Sequence, residues 1–190
     1  MHCTEPHIIT NEPDGTTTAV SLADELYNSR VLTLEGAVTQ ESAMMLAKGM
    51  LVLENKDPEA PITLLISSPG GSVSAGLALV DVMRGVSCPV NTVAVGTAAS
   101  MAAVILAAGS HRSAYPHAYV LIHQLMGGSE GQQTDIEIAA QHTAELRRVL
   151  DELLAERSNV SADEIHAMTE RDCWCTAERA LELGLIDEIL

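Results

Sequence analysis

The sequence predicts a single α/β domain, and three observations carry that expectation. Short β-branched runs alternate with longer helical ones along the chain, the strand-like runs are almost continuously apolar, and 190 residues suffice for one sizeable core but not for two comfortable ones. Taken in order, residues 1–20 hold Pro6, Asn11, Pro13, Asp14 and Gly15 and show no sustained period, which reads as a flexible or conditionally ordered arm ahead of a folded unit over 21–190. From there "RVLTLEG" reads as a strand, "QESAMMLAKGMLVLENKD" as a helix, "ITLLISS" as a strand and "SAGLALVDVMRGV" as a helix. "VNTVAVG" is a strand, "SMAAVILAAG" a helix and "AYVLIHQ" a strand.

The longest helical segment runs from about Thr134 to Arg157, opened by a capping box in Thr134-Asp135-Ile136-Glu137. At 1.5 Å per residue it spans roughly 35 Å, more than a core of this size needs, so it is expected to protrude and pair with something. A second capping box, Ser161-Ala162-Asp163-Glu164, starts a helix ending near Thr169. "TAERALELGLIDEIL" then supplies a last helix, stopped by Gly184, and a short terminal strand.

Composition narrows the function classes. There is no Phe, one Trp and three Tyr, so the core is built from aliphatic side chains and Met. An apolar fraction of 47% beside 26 acidic residues suggests that part of the apolar surface is buried against other subunits. A formal net charge of -16, with ten scattered Lys and Arg, argues against nucleic-acid or anionic-membrane surfaces. Cys3, Cys88, Cys173 and Cys175 form neither a dense disulfide framework nor a CxxC pair, and the amino terminus lacks a signal-peptide pattern, so a reducing, cytoplasmic setting is expected. Cys173-Trp174-Cys175 is a poor zinc half-site, because no second Cys/His pair stands at ligand spacing. The run from Val90 to Ser110 carries no charge, yet Asn91, Thr92, Gly96, Thr97 and Ser100 interrupt it, which reads as a strand and a helix joined by a turn and not as a membrane span.

Three places combine polar groups with Gly-rich or turning backbone. Pro69-Gly70-Gly71 follows a strand and precedes a helix; it lacks the Lys of a P-loop and the GxGxxG spacing, and serves either as a plain turn or as a source of backbone N–H groups for a substrate. Ser100 opens an Ala-rich helix, where a serine is either an N-cap, a close-packing residue or a nucleophile, although the GxSxG elbow is absent. His123 ends an apolar strand just before a Gly pair, whereas His2 and His7 lie in the arm and the other four in loops or helices. Asp172 stands between two helices, but spacing does not choose among the acids. The residues by themselves leave the structural and catalytic readings open.

"SPGGSVSAGLALVDVM", "VGTAASMAAVILAAG", "IHQLMGGSEGQQTDIEI" and "TERDCWCTAERALELGLID" resemble, in that order and spacing, the ClpP family, the proteolytic subunits of the Clp protease, from about Arg30 to Leu190. The resemblance implies a ClpP/crotonase-like fold of repeated β-α units with a protruding handle, about residues 124–158, and an arm forming axial loops. It implies a serine endopeptidase with Ser100 as nucleophile, His123 as base and Asp172 as orienting acid, with backbone N–H groups of Gly71 and Met101 as oxyanion donors. Substrate would bind as an added strand along Gly70, Ser72 and Val73 on one side and Gln124, Leu125 and Met126 on the other. Arg171 resembles the family's ring-contact arginine. Two stacked heptameric rings would enclose the sites, and an AAA+ unfoldase of the ClpX, ClpA or ClpC kind would feed them unfolded polypeptides. ATP would be used by that partner, and this chain would need no cofactor.

The chain departs from the family's pattern in its arm, which lacks the family's usual start, and in two further places. Leu125 stands where proline usually follows the His-Gln pair, and the docking pockets offer Thr63, Leu65, Ser113 and Tyr115 where aromatics are usual. Two other readings remain at this point: a ring subunit acting mainly through mixed assembly with a second ClpP-like chain, and acyl-CoA chemistry on the same superfamily fold, which leaves Ser100 and His123 without a role.

Overall fold

β-branched and aliphatic runs form the centre of the sheet. The computed structural model describes residues 7–11 and 16–190. Strands β3 (Val31–Glu35), β4 (Ile62–Ser68) and β5 (Val90–Ala99) lie parallel, with Leu34 beside Ile66 and Ile66 beside Ala94. Helices α2 (Gln40–Lys56) and α3 (Val73–Gly85) make the crossovers between them. Burial alternates along β4: Ile62, Leu64 and Ile66 lie in the core, whereas Thr63 and Leu65 are half-buried and Ser67 is exposed. That strand therefore has only one fully covered face in the single chain.

Strand β5 is long enough to serve two neighbours on the same side. Its first half pairs with β6 (Arg112–Ala114) through Thr92 to Ala94, and its second half with β7 (Tyr119–Ile122) through Thr97 to Ala99. Gly96, with φ of +73°, stands between the two pairings. Beyond β6 lies β9 (Glu188–Ile189), and beyond β7 lies the antiparallel β8 (Cys173–Thr176). Helix α4 (Met101–Ala107) is buried along its whole length, and both α3 and α5 (Gln133–Ala155) pack on it. Helix α6 (Ala162–Met168) packs on α5, and α7 (Ala177–Glu182) leads back to β9. Met50, Leu64, Ile66, Leu79, Ile105 and Ile165 are sealed in the core, each contributing about 1.5–3 kcal/mol by leaving water.

Several expectations need correction. Helix α1 (Leu22–Asn28) was not legible ahead of β3, and neither β6 nor β8 was predicted. β6 has three residues and β8 four, so their strand character comes from pairing partners and not from local pattern. Thr134 does not cap α5: the helix starts after Gln132, which makes no side-chain cap bond, and Gln133 instead bonds Glu137 through Nε2. The Ser161 box forms as expected, with Glu164 N–H donating to Ser161 Oγ and Ser161 N–H donating back to Glu164 Oε2 at 2.9 Å. Within the stretch read as an arm, β1 (His7–Asn11) and β2 (Thr17–Ser21) pair antiparallel, as their Ile and Thr content favours. The rest of that stretch, residues 1–6 and 12–15, lies outside the described residues.

Only Asp151 and Leu154 of α5 are buried, while Ile136 and Ile138 in its first half face outward. No helix among the described residues is long and apolar enough to cross a membrane.

Candidate active site

Two non-glycine residues among those described have positive φ, Arg30 at +62° and Ser100 at +56°. Backbone in this region costs an L-residue about 1–3 kcal/mol, so each position calls for a reason. At Arg30 the reason is structural, because its guanidinium donates to the carbonyls of Leu53, Asp57, Ala60 and Pro61 and so ties the end of α2 to the start of β4. Ser100 has no such compensation. It occupies the N-cap position of α4, yet its side chain makes no capping bond. Its N–H donates to Leu121 O at 2.8 Å, which holds the turn against β7 and leaves the hydroxyl free. A strained turn that presents an unpaired hydroxyl suits a nucleophile once a base comes within hydrogen-bond reach.

The sheet gathers the other candidates by register. Ser100 is the first residue past β5 and His123 the first past β7, and the two strands run parallel with Ala99 beside Leu121. Asp172 immediately precedes β8, whose antiparallel register sets Cys173 beside Ile122; continued by one step, it sets Asp172 beside His123. The three residues thus stand at the ends of three adjacent strands. Ser100 and His123 line one cavity of ≈ 270 Å³, and His123 and Asp172 line the depression next to it. His123 is half-buried and Asp172 exposed, and no hydrogen bond joins the three side chains among the described residues.

The Pro69-Gly70-Gly71 turn lies directly against Ser100. A Cβ at Gly70, whose φ is +90°, would stand 2.6 Å from Ala99 O and 2.7 Å from Ser100 Cβ, so only glycine allows this approach. Val38 fixes the turn from the other side, its N–H donating to Gly70 O at 2.8 Å and its carbonyl accepting from Ser72 N–H at 2.8 Å. Neither Gly71 N–H nor Met101 N–H has an acceptor among the described residues, and both residues line the cavity with Ser100. Free amides beside a free hydroxyl can stabilise an oxyanion formed on a bound carbonyl.

Gly70, Val73, Gln124, Leu125 and Met126 also line the cavity, whereas Ser72 does not; its Oγ instead accepts from Ala75 N–H and caps α3. Gln124 is tied to the stretch before Asp172, its N–H donating to Thr169 O at 2.7 Å and its Nε2 to Glu170 O. Arg171 is exposed, and its Nη1 donates to Glu170 O at 3.0 Å. Burial, reinforced by Cys173, pushes the Cys175 thiol up to about 12, so it stays neutral and offers no competing thiolate near neutral pH. Sequence reasoning missed Arg147 and Asp151 of α5, which line the cavity among apolar neighbours. Their spacing of one helical turn was indistinguishable from an ordinary surface pair.

Comparison with known proteins settles the family. A model of the Clp protease family matches residues 14–190. The chain belongs to the Clp protease family. Over 187 residues it is 42% identical to the ATP-dependent Clp protease proteolytic subunit of Bacteroides thetaiotaomicron, which covers 97% of this chain and 84% of that protein. A protein of the same name from Bacteroides fragilis is 41% identical over 187 residues, covering 97% of this chain and 90% of its own length. Clp family membership fits the mixed α/β architecture and its parallel sheet.

Proposed function

We propose that the chain is the proteolytic subunit of an ATP-dependent Clp protease, a serine endopeptidase that cleaves unfolded polypeptides. The observation that carries the reading is Ser100: strained, unpaired and sharing a cavity with His123 in a chain of this family. Ser100 Oγ attacks the peptide carbonyl while the His123 imidazole accepts its proton. Asp172 orients the imidazole and stabilises its cation. The oxyanion accepts from Gly71 and Met101 N–H, the amine product leaves with the proton returned by His123, and water then hydrolyses the acyl-enzyme. Catalytic hydrogen bonds often close only around bound substrate, so the open arrangement in the free chain is compatible with this assignment.

The substrate backbone pairs with Gly70 to Val73 and Gln124 to Met126 as an added strand, a mode that reads main chain and suits many different sequences. Assembly takes the form of two stacked heptameric rings, with residues 124–158 as the handle between them and Arg171 at the contact. The outward-facing Ile136 and Ile138 support that role for the first half of α5. An AAA+ unfoldase supplies the chain to be cut and consumes the ATP, so this subunit works in the cytoplasm without a cofactor of its own.

The test is Ser100→Ala. Cleavage of short fluorogenic peptides and labelling by a fluorophosphonate are both expected to vanish while the assembled particle keeps its size. Wild-type rings that neither cleave nor label would overturn the reading.

A further inference from the structure

The cavity beside Ser100 is not purely apolar. Val73, Val104, Ile122 and Leu154 contribute hydrocarbon, but Asp151 lines it too, with a side chain only 8% exposed. Its Oδ2 lies 2.7 Å from His166 Nδ1 on α6 and 3.9 Å from Arg147 Nε. Oδ1 has no hydrogen-bond partner among the described residues, and unlike Arg147 Nε it is not sealed from solvent. Asp151 is itself one of the residues that line the cavity.

Arg147 stands one helical turn before Asp151, but its Nη2 is drawn outward to Glu170 Oε1 at 2.7 Å and to His166 O at 3.1 Å. That contact holds the Glu170 carboxyl below the usual range. Arg147 lines the cavity as well, and its guanidinium is shared between the Asp151 and Glu170 carboxylates. The open acceptor on Asp151 is Oδ1; Arg147 Nε is a donor without a partner but is sealed from solvent. A buried acceptor left without a donor is costly, and a neutral donor meets it without importing a second ion.

We propose that Asp151 sets which residue is accepted on the amino side of the scissile bond, favouring a long side chain with an apolar stem and a neutral hydrogen-bond donor at its tip, glutamine or tyrosine. The inference rests on the peptidase reading above. The stem packs on Val73, Val104 and Leu154, and the tip N–H or O–H donates to Oδ1. A glutamate tip meets the carboxylate as a like charge. A lysine tip adds a second cation beside Arg147.

The experiment uses the assembled full chain and fluorogenic peptides that differ only at this position, in near-isosteric pairs: Gln against Met, Tyr against Phe, Lys against norleucine, with Glu as a further case. In kcat/KM, Gln over Met and Tyr over Phe are expected at about tenfold each, and Gln over Glu at about tenfold or more. In Asp151→Leu both donor ratios fall to about one; in Asp151→Asn, whose amide oxygen still accepts, they are largely kept while the penalty on Glu drops. Ratios within one variant cancel any loss of folded or assembled protein. Ratios near one in wild-type protein that cleaves the Met and Phe peptides would overturn this inference alone, as would a larger gain for Lys over norleucine than for Gln over Met. Protein that cleaves nothing and does not react with a fluorophosphonate removes the peptidase reading, and this one with it.

Discussion

Replacing Gly70 with alanine would test whether the turn after β4 holds Ser100 in place. The new Cβ would stand 2.6 Å from Ala99 O, 2.7 Å from Ser100 Cβ and 2.9 Å from Met101 N, on a backbone with φ of +90°. Carbon atoms pack at about 3.5 Å or more, so the turn and the serine must part by roughly 0.8 Å. The turn cannot recoil freely, because Gly70 O accepts from Val38 N–H at 2.8 Å and Gly70 N–H donates to Ser68 Oγ at 3.1 Å. Much of the shift therefore falls on Ser100 and on the Met101 amide. A displacement near 1 Å costs about a hundredfold in rate, or ~2.7 kcal/mol of barrier. The assay is kcat/KM on a short fluorogenic peptide together with the rate of fluorophosphonate labelling, both on assembled particles. Gly85→Ala is the control, since a Cβ there meets nothing within 4 Å. If Gly70→Ala kept activity within about threefold of wild type, the claimed coupling between the two turns would be refuted.

Asp187→Asn addresses stability away from the site: Asp187 accepts from Arg112 Nη2 at 2.5 Å and Nε at 3.0 Å, and Arg112 is buried. Leaving that guanidinium uncompensated should cost about 3 kcal/mol, read as a lower midpoint in urea unfolding. The Arg112 hydrogen bond lowers the Asp187 carboxyl from its ordinary value, so its stabilisation is complete above the unfolded carboxylate range and is lost as pH falls through the lower folded value; wild type and variant should converge in acid. Ile138→Asp places a charge on an outward face of α5 and should shift sedimentation toward smaller species while leaving the unfolding midpoint of the chain near wild type, because Ile138 lies outside the core. Unchanged sedimentation would remove that face from the assembly surface.

What was legible in the sequence is what depends on local pattern. The bounds of β4 and the Ser161 box could be read directly, because a short, nearly continuous apolar run and a Ser-to-Glu spacing of three dictate them. Thr134 misled because α5 opens on a polar, exposed run in which no apolar period marks the first turn. β6 and β8 are strands by virtue of β5 and β7, and no window of three or four residues carries that information. The same division runs through the site. Ser100 could be singled out as a serine at a strand-to-helix junction, but its positive φ and its lack of a capping bond are tertiary facts. The proximity of His123 and Asp172 follows from the β7–β8 register, over a sequence separation that spacing arguments do not bridge.

The three proposed catalytic residues are not held alike, and the difference bears on control. Ser100 sits between β5 and the fully buried α4, so the core fixes its geometry. His123 begins a stretch without regular secondary structure that continues through Glu130 into the exposed first half of α5. Asp172 follows Glu170 and Arg171, a segment bonded to that stretch through Gln124 and to α5 through Arg147. Whatever braces the 124–130 stretch and α5 therefore sets the distance between His123 and Asp172 without disturbing the serine. In the proposed assembly the brace is the opposite ring, so the nucleophile is a property of the folded chain while its activation is a property of the particle. Leu125, where the resemblance leads one to expect proline, falls within this stretch. A leucine does not fix φ as a proline would, so in the proposed assembly the His123 side of the site would draw more of its geometry from the opposite ring.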